Sequence, residues 1–440
     1  MVVSRDKTPT AQETFLQMAQ AAGLRGRLLI TIGLLILVRL GIFIPIPDID
    51  RVAFTQAISS NSVLGFLDIF TGGGISTIGI FALGILPYIN SSIIMQLLTA
   101  AVPALEDLQK NEGEAGRRKI SQYSRYIALA WAIIQSVGLT VGLLRPYALN
   151  YGPLFIVQTV LALTAGSMFV MWVSELLTER GIGNGASLLI FVNIVATLPR
   201  TLGNTIDYAQ TGGRQAITSV VLLLVVFLVM IVGIVFVQEG TRRIPIVSAR
   251  RQVGKRLYRE RTSYLPLRLN QGGVMPIIFA SAVLILPSSL ASFFSSQGGA
   301  VSRVFIEISN ALRPGTWVYT LVYSLMIFFF SYFYASLIVN PEDVSKNLKK
   351  MGSSIPGIRP GKKTEEYLSG VLNRLTFLGA VFLSVVATVP IFVEQATGVT
   401  TFQGLGATSL LILVGVAIDT AKQIQTYVIS QRYEGMIKAD

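Results

Sequence analysis

"NSVLGFLDIFTGGGIS", residues 61–76, holds an apolar run too short for the company it keeps. A dozen residues of helix rise far less than the roughly 30 Å of a bilayer's hydrocarbon core. Asp68 stands inside the run, and Gly72, Gly73 and Gly74 close it before a full-length apolar segment begins. Two arrangements satisfy this pattern. One is a helix lying in the membrane interface; the other is a re-entrant half-helix that hinges on its glycines. The second demands a protein-lined space at membrane depth, because unpaired backbone is not tolerated against lipid. The rest of the chain decides whether such a space exists.

Composition sets the surroundings. Of 440 residues, 52% are hydrophobic and 13% charged, with a mean hydropathy of +0.62. Ordinary globular chains carry about 25% charged residues, so this is a polytopic membrane protein. Cysteine and histidine are both absent. Disulfides, thiol nucleophiles, zinc sites built on those ligands and histidine acid–base catalysis are thereby excluded. A window of about 20 residues finds ten spans, at 28–45, 75–100, 122–144, 153–178, 184–203, 215–238, 272–295, 316–339, 371–393 and 403–427. The weakest, 184–203, carries Asn184, Ser187, Asn193 and Thr197, which must face protein or water rather than lipid. The first run is long and late for a cleavable leader, and is expected to stay as an anchor.

Basic residues orient the spans. With the N-terminus inside, nine Lys and Arg fall between Arg242 and Arg268, seven between Lys346 and Arg374, and five between Lys110 and Arg125. The outward segments hold Arg51, Arg145, Arg200, Arg214, Arg303 and Arg313. The positive-inside rule therefore puts both termini in the cytoplasm. The organisation that follows is a tail at 1–27, a first half at 28–203, an external loop at 204–214, a second half at 215–427 and a tail at 428–440. Cytoplasmic loops fall at 239–271 and 340–370. Five spans per half is an odd number, so the halves must be inverted with respect to each other, a design used around central pathways. That gives the short segment a space to enter.

The second cytoplasmic loop contains "SSIPGIRPGKK", 353–363, whose prolines and glycines make it a shaped, basic tip rather than a span. A phosphate loop is missing, since Lys255 and Lys362 lack the earlier glycine and the following Ser or Thr. A ten-span secondary transporter remains open as an alternative, although Arg39, Glu175 and Asp419 lie toward span ends rather than at mid-membrane, where coupling residues are expected. An intramembrane protease is disfavoured by the missing histidine and cysteine and by the lack of a Gly-x-Ser-x-Gly elbow or a facing Asp pair.

Six blocks in chain order carry a family resemblance: "GIFALGILPYINSSIIMQLL" (79–98), "GRRKISQYSRY" (116–126), "ERGIGNGASLLIF" (179–191), "LPLRLNQGGVMPIIFAS" (265–281), "IPGIRPG" (355–361) and "TSLLIL" (408–413). They resemble the SecY family, the channel subunit of the Sec protein translocase, and in detail its cyanobacterial and plastid members. The resemblance implies an all-α fold of ten transmembrane helices in two inverted halves around a pore, with a re-entrant plug at 62–74. It implies a pore ring of Ile85, Ile89, Ile190, Ile194, Ile278 and Ile412, of which Ile85/Ile89 and Ile190/Ile194 are i,i+4 pairs on one helix face. The plug and its hinge would comprise Leu64, Phe66, Leu67, Ile69, Phe70 and the three glycines 72–74. Ser92, Gln96, Gln135 and Ser281 become candidates for tuning a lateral gate between spans 75–100 and 122–144 and spans 272–295 and 316–339. Arg242, Arg243, Arg250, Arg251, Lys255, Arg256, Arg359 and Tyr433 become candidates for docking partners. The implied partners are SecE and SecG, the SecA ATPase, the ribosome, signal peptides with nascent chains, and lipid. No cofactor, metal or catalytic residue is implied, and ATP hydrolysis belongs to the separate motor. The expected location is the cytoplasmic membrane, the thylakoid membrane, or both.

Overall fold

Long apolar stretches with capped ends give this chain its helices, and two basic loops give it a small sheet. The computed structural model describes residues 22–59, 68, 71–248, 251–253, 256–258, 261–294, 307, 311–312, 316–397 and 407–437. Among the described residues are ten helices of 16 residues or more. They are α1 Ala22–Ile42, α2 Leu86–Ala101, α3 Gly113–Gly138, α4 Pro153–Arg180, α5 Gly185–Thr211, α6 Gly213–Glu239, α7 Met275–Phe294, α8 Trp317–Ile338, α9 Lys362–Thr397 and α10 Ala407–Ile437. Starts follow sequence signals: Asn184 Oδ1 accepts from the Ala186 amide at 3.0 Å, and Thr316 Oγ1 from the Tyr319 amide at 3.2 Å. Six of these, α3–α6, α8 and α9, are long and apolar enough to cross a membrane, and α2 joins them when taken with Pro103–Gln109, which bends from it by 104°.

Helices pack in a repeating scheme. In the first half α1 lies on α4, α2 on α3, α3 on α4 and α4 on α5. In the second half α6 lies on α9, α7 on α8, α8 on α9 and α9 on α10. Adding five to each number in the first set gives the second, which is the signature of two structurally related five-helix halves. The halves meet at two seams. Along one, α5 packs on α6 and α10; along the other, α7 packs on α2, α3 and the short helix that follows α3. Large, exposed apolar side chains, such as Leu228, Val232 and Phe236 on α6, lie on the outside.

Three stretches depart from the sequence expectation. The expected span 75–100 is one helix only from Leu86, because Ile78 (φ 48°) and Gly84 (φ 52°) turn the chain beforehand. The expected external loop 204–214 is mostly helix: α5 runs to Thr211 and α6 starts at Gly213, so that Gly212 alone separates them. The expected loop 239–271 is built from strands, β1 Thr241–Ser248, β2 Arg251–Val253, β3 Arg256–Tyr258 and β4 Arg261–Arg268. In β1, Ile244 and Ile246 are buried while Arg243 and Pro245 are exposed, the period-2 pattern of a half-buried strand. Strand β5, Ser353–Ser354, adds to its other edge, giving the order β4-β1-β5. Helical spans thus carry a small β platform. Span 122–144 also ends differently, as a π-helical turn at Leu139–Leu143.

Candidate functional site

The site begins where α1 ends. Past Ile42 the chain runs beside residues 78–80, with the Ile46 amide donating to the Ile78 carbonyl at 3.0 Å and the Ile80 amide to the Ile44 carbonyl at 2.9 Å. Between them, Gly74–Thr77 forms a single helical turn. Thr77 ties that turn down, its hydroxyl donating to the carbonyls of Gly73 (2.9 Å) and Ile42 (3.2 Å). Gly72 and Gly73 have φ of 69° and 88°, the left-handed region that a side chain resists, so the glycines here are demanded by the turn. The expected hinge is therefore a hydrogen-bonded corner rather than a slack tether. Asp68 reinforces it, accepting the Ser76 amide at 2.7 Å and, through its carbonyl, the Gly73 amide at 2.8 Å. Leu64, Phe66, Leu67, Ile69 and Phe70 lie outside the described residues.

This corner delivers Ile85 to the N-terminus of α2, and Ile89 lies one turn further on. Ile190 and Ile194 come from α5, Ile278 from α7 and Ile412 from α10. All six isoleucines lie in one buried cluster and none is more than 7% exposed. Four helices from both halves thus contribute β-branched, apolar side chains to that cluster. A void of about 10 Å³ sits beside Ile85, bounded also by Thr71, Gly84, Leu189 and Asn193. That is at the lower limit for holding one water molecule. The isoleucine side chains offer no hydrogen bond to water or ions.

The gate candidates are distributed unevenly. Gln96 on α2 hydrogen-bonds Tyr334 on α8, a contact between the two halves. Its Oε1 and that of Gln135 on α3 are buried without a partner. Ser281 instead donates to the Ile278 carbonyl of its own helix at 2.9 Å, and Ser92 hydrogen-bonds Tyr88 one turn earlier in α2. Only Gln96 of the four therefore has a polar contact across the seam. Tyr334, packed edge-on against Phe279 of α7 with centroids 5.5 Å apart, escaped the sequence reading. Among so many aromatic residues on α8 it carries no local signal.

Four of the eight docking candidates fall on the strands of the platform. Arg242 and Arg243 are exposed on β1. Arg251 lies on β2 and Arg256 on β3, whereas Arg250 and Lys255 lie outside the described residues. Tyr433 falls in the last turns of α10. Arg359 is exposed at the loop tip, and Gly357 (φ 78°) and Gly361 (φ 103°) bracket it. Its carbonyl accepts from Thr364 Oγ1 at 3.0 Å, and the Gly361 carbonyl from Ser345 Oγ at 2.8 Å. Underneath, Ile355 joins Ile244, Leu267, Leu368 and Leu372 in a separate apolar cluster. Lys422 of α10 pairs with Glu239 at 2.8 Å, and Arg268 with Asp419 at 3.7 Å, which fixes the platform's base to α10. Asp419, weighed above as a transporter coupling residue, is accounted for as the partner of Arg268 in this ion pair.

Known proteins share both sequence and fold with this chain. A protein translocase subunit SecY of Synechocystis sp. is 87% identical over 440 residues, covering all of both chains. A chloroplastic preprotein translocase subunit of Spinacia oleracea is 43% identical over 413 residues, or 94% of this chain and 74% of that one. Among solved structures, a protein-conducting channel superposes with a TM-score of 0.64 at 16% identity, over 96% of this chain and 94% of the other. Sec61 in a canine ribosome–channel complex gives 0.59 at the same identity and coverage. The transporter alternative finds no support among them. A family model described as SecY matches residues 79–421, from the corner that positions Ile85 to the platform's tie on α10, and this chain belongs to the SecY family.

Proposed function

We propose that the chain conducts unfolded secretory polypeptides across the membrane and releases their apolar segments into lipid. The observation that carries this reading is that six buried isoleucines from α2, α5, α7 and α10 belong to one apolar cluster shared by two related halves. The isoleucines form the ring that seals the idle pore, and residues 62–74 form the plug above it. The seam of α7 against α2 and α3 is the lateral gate. A segment in the pore samples lipid there: leucine-rich stretches gain free energy, while each Asp, Lys or Arg at a helix centre loses about 2.5–3.5 kcal/mol. No energy source is needed for that step, and the chain acts as a channel subunit, not an enzyme.

Energy for pushing arrives from the cytoplasmic side. The basic platform of β1–β4 suits ribosomal RNA, because phosphate contacts are electrostatic and tolerant of sequence. The tip around Arg359 suits the SecA motor, where a rigid guanidinium pairs with carboxylates. SecE and SecG accompany the chain, both termini face the cytoplasm, and the membrane is the cytoplasmic or thylakoid one. Reconstituted vesicles decide the reading. An unfolded precursor should cross them when motor and ATP are added, and small solutes should show no coupled uptake. Coupled solute uptake without precursor transport would contradict it.

A further inference from the structure

We propose that Arg39 on α1, together with Asn193 on α5, is the latch that holds the plug's glycine corner against the pore ring and sets how readily the idle channel opens. The proposal rests on the plug-and-ring reading above and adds positioning residues to it. Arg39 Nη1 donates to the carbonyl of Gly72, 33 residues away in the chain. Asp68, the described residue inside the short segment, supplies the opposite charge that acts on this guanidinium. A methyl group at Gly72 would lie 2.6 Å from both Arg39 Nη1 and Asn193 Oδ1, so the glycine occupies a slot between the two side chains. Asn193 is 5% exposed and adjoins Ile194 of the ring. It also borders the small void beside Ile85 and Thr71.

The other bonds of the corner act elsewhere. Those from Thr77, Ile46 and Ile80 fix residues 73–80 to the end of α1, and Asp68 is tied to the Gly73 and Ser76 amides of that corner. Arg39 reaches upstream of them, onto Gly72. An arginine inside a span is costly and needs a partner. Here its partner is a backbone carbonyl of the element that must move, with the Asp68 charge nearby. The same bond both holds the corner and satisfies the charge. Displacing the plug breaks it, so the latch adds to the energy that an entering chain has to supply.

The test uses the complete translocase in planar bilayers, with no precursor added. R39Q should raise idle ion conductance about ten- to a hundredfold, the usual range for losing hydrogen bonds to a charged group, while the melting temperature stays unchanged. R39K keeps the charge but not the planar fork and should fall between. N193A leaves the arginine in place, should raise conductance several-fold, and carries the test if R39Q does not accumulate. A deletion of residues 62–72 removes the held element, so R39Q or N193A added to that deletion should change nothing further. If the deletion leaks and neither R39Q nor N193A does, the latch is wrong and the plug reading stands. If R39Q leaks equally with and without the short segment, Arg39 acts elsewhere and the latch is wrong. If the deletion itself does not leak, plug and latch fall together.

Discussion

An isoleucine in a membrane helix is ordinarily a lipid contact, and Ile85, Ile190, Ile278 and Ile412 differ from that norm in being buried in one cluster. Branching at Cβ makes each side chain stiff, so that in the proposed ring they would hold an aperture without support from hydrogen bonds. Replacing Ile412 with Asn places an amide where apolar atoms surround it, and an unpaired buried amide costs about 1–3 kcal/mol. Water entering the constriction relieves that cost. The expected result for Ile85→Asn and Ile412→Asn is higher idle conductance and acceptance of weaker signal sequences; conductance and precursor selectivity both at wild-type values would remove these residues from the seal. Arg359 makes the opposite kind of prediction. Its backbone is fixed by Ile355 below and by two left-handed glycines beside it, so the guanidinium is presented rather than flexible. Arg359→Glu should abolish motor-driven transport into vesicles while membrane insertion and the melting curve remain normal. Loss of such a charge partner commonly costs about 2–5 kcal/mol of affinity. Normal transport by the glutamate variant would reduce Arg359 to one basic charge among seven.

At the scale of elements, the connection from α1 to α2 does more than join two spans. Gly79 packs so closely that a methyl group on it would lie 2.0 Å from the Ile42 carbonyl oxygen, at the bridge where Gly79 pairs with Pro45. Gly79→Ala must push those strands apart and should lower stability by about 1–3 kcal/mol, the usual range for overpacking. Thermal unfolding of the purified protein measures this, and an unchanged midpoint would mean that the corner is not held as described. This connection was only partly legible in the sequence. The three glycines announced a hinge, but nothing in "GIFALGIL" separates a turn from the start of a span, because hydropathy reads composition and not φ. The strands of the platform were hidden for another reason. "TRRIPIVS" alternates correctly, yet its basic charge is also what the positive-inside rule expects of any cytoplasmic loop. Its junction with Ser353–Ser354, about a hundred residues later, has no local signature at all.

Over the whole molecule, ten spans and their inversion followed from counting apolar runs and basic loops, since length and charge are what a bilayer enforces. The burial of all six isoleucines in one cluster did not follow from spacing, which relates Ile85 only to Ile89 and Ile190 only to Ile194. It required the tertiary fold, as did the polar contact from Gln96 to Tyr334 and the reach of Arg39 to Gly72. The fold explains why these residues act together. One seam runs through α5, α6 and α10 and the other along α7; in the proposed function the halves part along the α7 seam.

The chain has no cysteine, so single cysteines report position without background. The central claim is that a translocating polypeptide passes through the isoleucine ring. One measurement tests it directly: disulfide crosslinking between a stalled, cysteine-bearing precursor and channels carrying one cysteine at 85, 190, 278 or 412, with Leu228→Cys and Phe236→Cys on the outer face of α6 as controls. Crosslinks are expected at all four ring positions and at neither control. Crosslinks to α6, or none at the ring while the precursor is demonstrably stalled in transit, would contradict it.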